Sequence, residues 1–315
     1  MISQAQQKKT WKPTIWAIGG GKGGVGKSVV SVLLAMALAK SNKKTVLVDT
    51  DLGGANLHTL LGIKTPVRTL NDFVTRKYNR IEEICIQTQV RNLELVCGAS
   101  EILSLANPQY AQKTKILQSI TQLAADHVIL DLGAGTSYNV LDFFLVADYP
   151  IVVLTPQPIS IQNAYAFVRN TVYRKLSRAT HQKSSLQEII KTAMDPKNED
   201  QMRTFRDLQQ AVRKSHGAKT ADQLSSAIST IRPLLITNMA KDQRDNNAGR
   251  IIKLVAEKYL TVQSTELGSI DFDMLVDKMI SQMMPLSELP STSKALSDAA
   301  AIINTMPHQS QQAAQ

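Results

Sequence analysis

The octet Gly21-Lys22-Gly23-Gly24-Val25-Gly26-Lys27-Ser28 constrains this 315-residue chain more than any other feature. A backbone that curls tightly enough to aim successive N–H groups at one anion needs residues free to take positive φ, and four of the eight are glycine. The octet follows the apolar run Ile15-Trp16-Ala17-Ile18. It precedes a stretch, Ser28 to Lys40, in which Val29, Val32, Leu33, Met36 and Ala37 recur at helical spacing. Strand, glycine-rich turn and helix in that order are the context in which such a loop cradles phosphate. The helix start near Lys27 adds its positive dipole end. Lys27 offers a charge to β- and γ-phosphates, and Ser28 offers a hydroxyl to Mg²⁺. The candidate nucleotide contacts are therefore Gly21, Gly23, Gly24, Val25, Gly26, Lys27, Ser28 and Val29, with ATP and Mg²⁺ as the expected ligands.

Short, continuous, β-branched apolar runs recur further on: Thr45-Val46-Leu47-Val48, Leu93-Glu94-Leu95-Val96, Val128-Ile129-Leu130, Ile151-Val152-Val153-Leu154 and Leu234-Leu235-Ile236-Thr237. Helical patterns separate them, which predicts parallel strands covered on both faces. The expected fold class is α/β: a mostly parallel twisted sheet with helices on both faces, a P-loop NTPase domain over 14–306. Three aspartates fall at strand ends, where open α/β sheets place their chemistry. Asp49 and Asp51 follow the run at 45–48, and Asp131 follows the run at 128–130. One such carboxylate can hold the water shell of Mg²⁺ and another can orient an attacking water. Asp131 suits the first role and Asp51 the second. Ser28, Asp49 and Asp131 form the expected metal side, and Lys27 and Asp51 are catalytic candidates.

From Arg174 to about Ile231 the strand rhythm stops. Leu186, Ile189, Ile190 and Ala193, then Met202, Phe205, Leu208 and Val212, then Leu224, Ala227 and Ile228 keep helical spacing, with breaks at Asp195-Pro196 and His216-Gly217. This predicts a helical insertion over about 174–231. Between Tyr165 and Val255, seventeen Lys/Arg stand against eight Asp/Glu, nearly the whole excess of a chain with formal charge +10. Such a surface suits anionic partners, nonspecific DNA among them, and equally describes a solvated helical face. The ends, 1–13 and 307–315, are polar and expected to be disordered tails. No apolar run reaches the roughly 18 residues of a membrane span, and 1–20 carries Lys8, Lys9, Lys12 and Pro13 rather than the pattern of a signal peptide. Cys85 and Cys97 are the two cysteines; they build neither a disulfide framework nor a four-thiolate site. A reducing, cytoplasmic setting is expected.

The run Lys22-Gly23-Gly24-Val25-Gly26-Lys27-Ser28 resembles the deviant Walker A motif of the MinD/ParA family, in which a second, signature lysine precedes the usual one. Val46-Leu47-Val48-Asp49-Thr50-Asp51-Leu52-Gly53-Gly54-Ala55-Asn56 is similar to the family's next motif, and most similar to the branch of MinD and of FlhG, the flagellar-number regulator. Ile129-Leu130-Asp131-Leu132-Gly133-Ala134-Gly135 resembles its Walker B segment and Thr155-Pro156-Gln157-Pro158-Ile159-Ser160 its switch-like loop. Asn238 falls where the family places an adenine-contacting Asn. Leu267-Gly268-Ser269-Ile270 and Pro285 to Pro290 resemble its C-terminal part. The match covers nearly all of 14–306 except the insertion. The resemblance implies an ATP-dependent homodimer in which Lys22 would reach phosphates bound in the partner subunit and join Lys27 and Asp51 in catalysis, as a lysine counterpart of an arginine finger. It also implies slow hydrolysis stimulated by a protein partner, with the nucleotide acting as a switch.

Two functions follow from the resemblance. One is a MinD/FlhG-like spatial regulator of flagellar placement or number, or of cell division, that recruits partners in its ATP state. The alternative is a ParA-like partitioning ATPase whose dimer holds nonspecific DNA; Arg169, Arg174, Lys175, Arg178, Arg203, Arg206, Arg213 and Lys214 speak for it. An iron–sulfur carrier would need paired cysteines, which Cys85 and Cys97 do not supply, and an amidoligase would need an acceptor pocket that the sequence does not reveal. Gln157 and Asn163 stand where many relatives carry acidic residues, which bears on partner contacts. Proteins of the MinD/FlhG branch typically end in an amphipathic membrane-gripping helix. Here Ala295, Leu296, Ala299, Ile302, Ile303 and Met306 form an apolar face whose only base is Lys294, so docking onto the body is expected in place of direct membrane binding. The activating motif that FlhG proteins carry near their N-terminus is not recognisable in 1–12.

Overall fold

The computed structural model describes residues 12–51, 54–98, 110–180, 184–195, 202–245 and 247–306. The tails expected at 1–13 and 307–315 lie outside the described residues except for Lys12 and Pro13. The chain opens with β1 (Thr14–Gly19), α1 (Lys27–Lys40), β2 (Thr45–Asp49) and two short helices, α2 (Leu57–Leu60) and α3 (Leu70–Val74). It continues through β3 (Cys85–Gln87), β4 (Leu93–Val96), α4 (Tyr110–Ile120), β5 (His127–Asp131), α5 (Tyr138–Phe144), β6 (Tyr149–Leu154) and the long α6 (Pro158–Ala179). Then come α7 (Ser184–Met194), α8 (Phe205–His216), α9 (Ala218–Ser229), β7 (Leu234–Ala240), α10 (Asn247–Leu260), β8 (Thr265–Asp271), α11 (Met274–Ser281) and α12 (Lys294–Thr305).

Among the described residues, eight strands lie in the order β3-β4-β2-β5-β1-β6-β7-β8, parallel except for β3, which runs antiparallel to β4. The α/β sheet with helices on both faces is therefore as the sequence predicts. Alternation along the strands sorts the core: Ile15 and Ala17 pack with α3 to α10 on one face, and Trp16 and Ile18 pack with α1, α2, α11 and α12 on the other. Six strands match the apolar runs read from sequence. The two others are the sheet's edges. β3 has three residues, and β8 leaves Thr265, Glu266 and Gly268 exposed, so neither carries the continuous apolar run that marks a strand buried on both faces.

The boundary expected at 174 falls inside α6, which runs unbroken to Ala179; α7, α8 and α9 then intervene before β7. A capping box at Thr204 and Asp207 starts α8, and Gly217 at φ +84° separates α8 from α9. Leu186, Ile190, Phe205 and Leu208 are all buried, while Arg203, Arg206, Arg213 and Lys214 are exposed. The apolar face of α12 is likewise buried at Ala295, Leu296, Ala299 and Ile302, packed with α1 and β8. Among the described residues no helix is long and apolar enough to cross a membrane.

One buried carboxylate ties three helices together. Asp142 on α5 accepts from Arg174 Nε and Nη2 of α6, each at 2.8 Å, and from the Lys113 ammonium of α4. Burial pushes its pKa up, but hydrogen bonds and charge from Arg174 and Lys113 outweigh burial and hold the carboxyl below its ordinary value. Breaking a buried pair leaves its partners uncompensated, so Asp142→Ala is expected to cost about 3 kcal/mol or more at neutral pH in urea unfolding. A depressed carboxylate pKa stabilises above its ordinary value and loses that contribution as pH falls through the folded-state value. The gap between the two proteins should therefore close in acid, below about pH 4; a gap that stays constant there would show that packing, not charge, is what the alanine removes.

Candidate functional site

The start of α1 is built to meet an anion. Gly26 occupies the N-cap at φ +82° and no side chain caps the helix, so the first amides of α1 lack intrahelical partners. Gly24 also sits at φ +82°, with nothing within 4 Å of where a Cβ would be. The loop is clamped elsewhere by backbone approach. A Cβ on Gly21 would lie 1.9 Å from the Asn163 carbonyl oxygen of α6, and one on Gly26 would lie 2.2 Å from Asn238 Nδ2 of β7. That Asn238 amide donates to the Val25 carbonyl at 2.9 Å. Lys27 Nζ donates to the Lys22 carbonyl at 3.4 Å, tying the loop's start to its end, while the Lys22 side chain is exposed.

The strand-end aspartates converge on this loop. Asp49 and Asp131 are register partners at the tips of β2 and β5. Asp131 is buried; its Oδ1 accepts from the Ser31 hydroxyl at 2.8 Å, and the Ser28 hydroxyl also donates to it. Burial pushes Asp131 up to about 6 against these two hydroxyls and the charge of Lys27. Asp49 is pushed up to about 7, by burial first and by the charge of Asp131 second. Both Asp49 oxygens are engaged: Oδ1 accepts from the Asp51 amide at 3.1 Å, and Oδ2 from the amides of Asn56 at 3.0 Å and Leu57 at 3.1 Å. It thereby holds the turn that carries Asp51. The Asp51 carboxylate lies against the loop after β5, where a Cβ on Gly133 would come within 3.2 Å of Oδ1. Lys27 is the cation between these acids: burial lowers its pKa, and Asp131 and then Asp51 raise it.

The structure thus brings Gly21 to Val29, Asp49, Asp51, Asp131 and Asn238 to one end of the sheet. Its donor set of a serine hydroxyl and a carboxylate is made of hard oxygens, the chemistry that Mg²⁺ takes. Sequence reasoning missed three contributors: Ser31, one helical turn beyond Ser28; Thr50, whose amide and hydroxyl bond the Asp131 carbonyl at 3.0 and 2.7 Å; and the main chain at Asn163. The (i, i+3) spacing of Ser28 and Ser31 was the one available signal. Cys85 lies on β3 and Cys97 just beyond β4; burial first, then nearby carboxylates, push both thiols up to about 12. They are thiols, not thiolates, at neutral pH.

A family model described as "ParA: NUBPL iron-transfer P-loop NTPase" matches residues 12–224. The antiactivator FleN of Pseudomonas aeruginosa is 34% identical over 155 residues, 49% of this chain and 54% of that protein. The flagellum site-determining protein YlxH of Helicobacter pylori is 34% identical over 160 residues, 49% of this chain and 52% of that protein. The chain spans about half the length of the curated relatives it matches. In fold it is similar to the septum site-determining protein MinD of Pyrococcus horikoshii, solved with Mg-ADP: TM-score 0.60 at 19% identity, over 92% of this chain and 94% of that one.

The Asn238 contact makes a direct test of loop support. Asn238→Ala strands the buried Val25 carbonyl, a loss of about 1–3 kcal/mol, and should speed hydrogen exchange at the amides of 21–27. Loop amides exchanging at the wild-type rate would remove Asn238 from the clamp.

Proposed function

Because the chain belongs to the ParA family of P-loop NTPases, we propose that it is a MinD/FlhG-like ATPase that dimerises on ATP and recruits protein partners to regulate flagellar placement or number. The observation that carries the reading is the pairing of a buried Lys27 between Asp51 and Asp131 with an exposed Lys22 five residues earlier. One lysine faces the loop's own phosphates; the other is free to extend beyond the subunit. The name of YlxH, a flagellum site-determining protein, supports the flagellar assignment.

In this reading the amides at the start of α1 and the Lys27 ammonium bind the β- and γ-phosphates. Ser28 and Asp131 stand where they would hold Mg²⁺, directly and through water, and the ion supplies charge neutralisation on the phosphate oxygens. Asp51, held by the turn that Asp49 fastens, orients the attacking water, and Asn238 borders the base while supporting Val25. Lys22 of each subunit stabilises charge in the other's site, so the two-site dimer is favoured only with ATP. Hydrolysis is slow until a protein partner binds. Iron transfer, which the family model's description includes, would call for thiolate ligands gathered at one point; Cys85 packs on one face of the sheet and Cys97 on the other.

A DNA-partitioning reading draws on the exposed bases Arg206 and Lys214 of α8 and Arg203 just before it. Other bases that sequence offered to it are engaged within the chain: Arg169 donates to the Met194 carbonyl at 2.9 Å, Arg174 to Asp142, and Arg213 pairs with Asp222 at 2.8 Å. Filter binding of the ATP-loaded protein at low salt separates the readings, because phosphate contacts release counterions and retention must then fall steeply with salt. Salt-sensitive DNA retention would favour partitioning.

Two variants test the mechanism. Lys27→Ala should abolish ATP binding, whereas Lys22→Ala should bind ATP as a monomer; light scattering during nucleotide titration measures both, and an ATP-bound Lys22→Ala dimer would end the trans-lysine role. Asp51→Ala should keep ATP, accumulate the dimer and hydrolyse about 10²-fold more slowly or worse, the scale of a lost positioned proton acceptor. Phosphate release at the wild-type rate would take Asp51 out of the mechanism.

A further inference from the structure

The helix that continues the Asp131 loop, α5, borders a cleft that phosphate chemistry does not use. An opening of about 650 Å³ lies between α4, α5, α6 and α7, lined by Lys113, Asp142, Arg174 and Arg178, with Gln118 and Gln187 among its polar groups. Three cations meet one carboxylate there. Arg174 forks onto both Asp142 oxygens at 2.8 Å and Lys113 bonds the same group, so the carboxylate's near positions are taken. Arg178 Nη1 is left at 3.5 Å, with its side chain 49% exposed. The charge of the lining is therefore positive in a concave, partly desolvated recess, the arrangement that concentrates an opposite charge.

The same lining narrows what the occupant is. The Gln118 side-chain amide can both donate and accept, which suits a peptide backbone, while Gln187 already donates to the Ser177 carbonyl and the Thr180 hydroxyl; the guanidinium of Arg178 suits a carboxylate fork. The volume holds a few residues. A duplex backbone needs a surface that tracks successive phosphates, and this recess is enclosed by four helices.

We propose that this cleft is the docking site for an acidic segment of a partner protein, a carboxylate of which pairs with Arg178 and competes with Asp142 for Arg174. Asp142 fastens α5, and α5 follows directly on the loop from Asp131 that Asp51 touches. Occupancy of the cleft therefore loosens the anchor of the loop facing the attacking water. This link to hydrolysis rests on the partner-stimulated reading given above; binding in the cleft does not.

The experiment separates the two. Fluorescein-labelled oligoglutamate is titrated onto the full, nucleotide-free chain at ~50 mM salt, where screening is weak, and anisotropy is read. Saturable binding should weaken about tenfold in Arg178→Glu, the loss of one charge-assisted pair. It should stay unchanged in Lys214→Glu on the exposed face of α8. No binding, or equal weakening in both variants, overturns the cleft, and so does Arg178-dependent displacement of the probe by duplex DNA. ATP hydrolysis with saturating probe is measured alongside: a rate change that Arg178→Glu abolishes supports the link to α5, and an unchanged rate with binding intact overturns that link alone.

Discussion

The phosphate loop is held in shape by main-chain approaches that a single methyl group would prevent. At Gly21 the Asn163 carbonyl occupies the volume of a Cβ, and at Gly26 the Asn238 amide does. These two contacts come from α6 and β7, elements far apart in sequence, so the loop is correctly formed only when β1, β6 and β7 already lie side by side. Binding geometry is in this sense a property of the sheet order. The glycines contribute by what they lack, and Asn238 by converting the contact into a hydrogen bond to Val25.

The three strand-end aspartates divide their labour by the partners that burial forces on them. A buried carboxylate must be neutralised or hydrogen-bonded. Asp49 satisfies this with three backbone amides and so becomes a fastening for the turn that follows β2; any contact with a metal from it would run through water. Asp131 uses two serine hydroxyls of α1, partners that can turn and offer their oxygens elsewhere. Asp51 is only partly buried. One motif thus contains a strut, Asp49, and a carboxylate left partly open, Asp51, two residues apart.

What could be read in the sequence was whatever local chemistry decides. The octet at 21–28, the six apolar strands and the helical spacing of α8 each follow from their own residues. The edge strands β3 and β8 were not legible, because an edge strand need not be apolar on both faces. Nor was the fate of the basic residues. Arg174 and Arg206 look alike in a charge count, yet one forks onto a buried carboxylate and the other is exposed. The difference lies in Asp142, thirty-two residues before Arg174 and on another helix, and no sequence pattern links the two. Asn238 is legible through motif resemblance, while its bond to Val25, 213 residues away, is set by the order of the strands and not by any local pattern.

These long-range contacts give α6 a role its sequence does not announce. Near its start, Asn163 presses on Gly21, and one turn later Phe167 packs where a Cβ on Gly19 would lie 2.7 Å from its ring. Midway, Tyr173 and Arg169 bond the last carbonyls of α7, and Arg174 grips α5. A 22-residue helix of this kind is stiff over its length of about 33 Å. A force applied at the helices beyond β6 therefore reaches the phosphate loop through a rod and not through a flexible linker, and it reaches the Asp131 loop through the Asp142 bonds. The helices between β6 and β7 and the phosphate loop share that one element, so a displacement of those helices is felt at Gly21 as well as at Asp142.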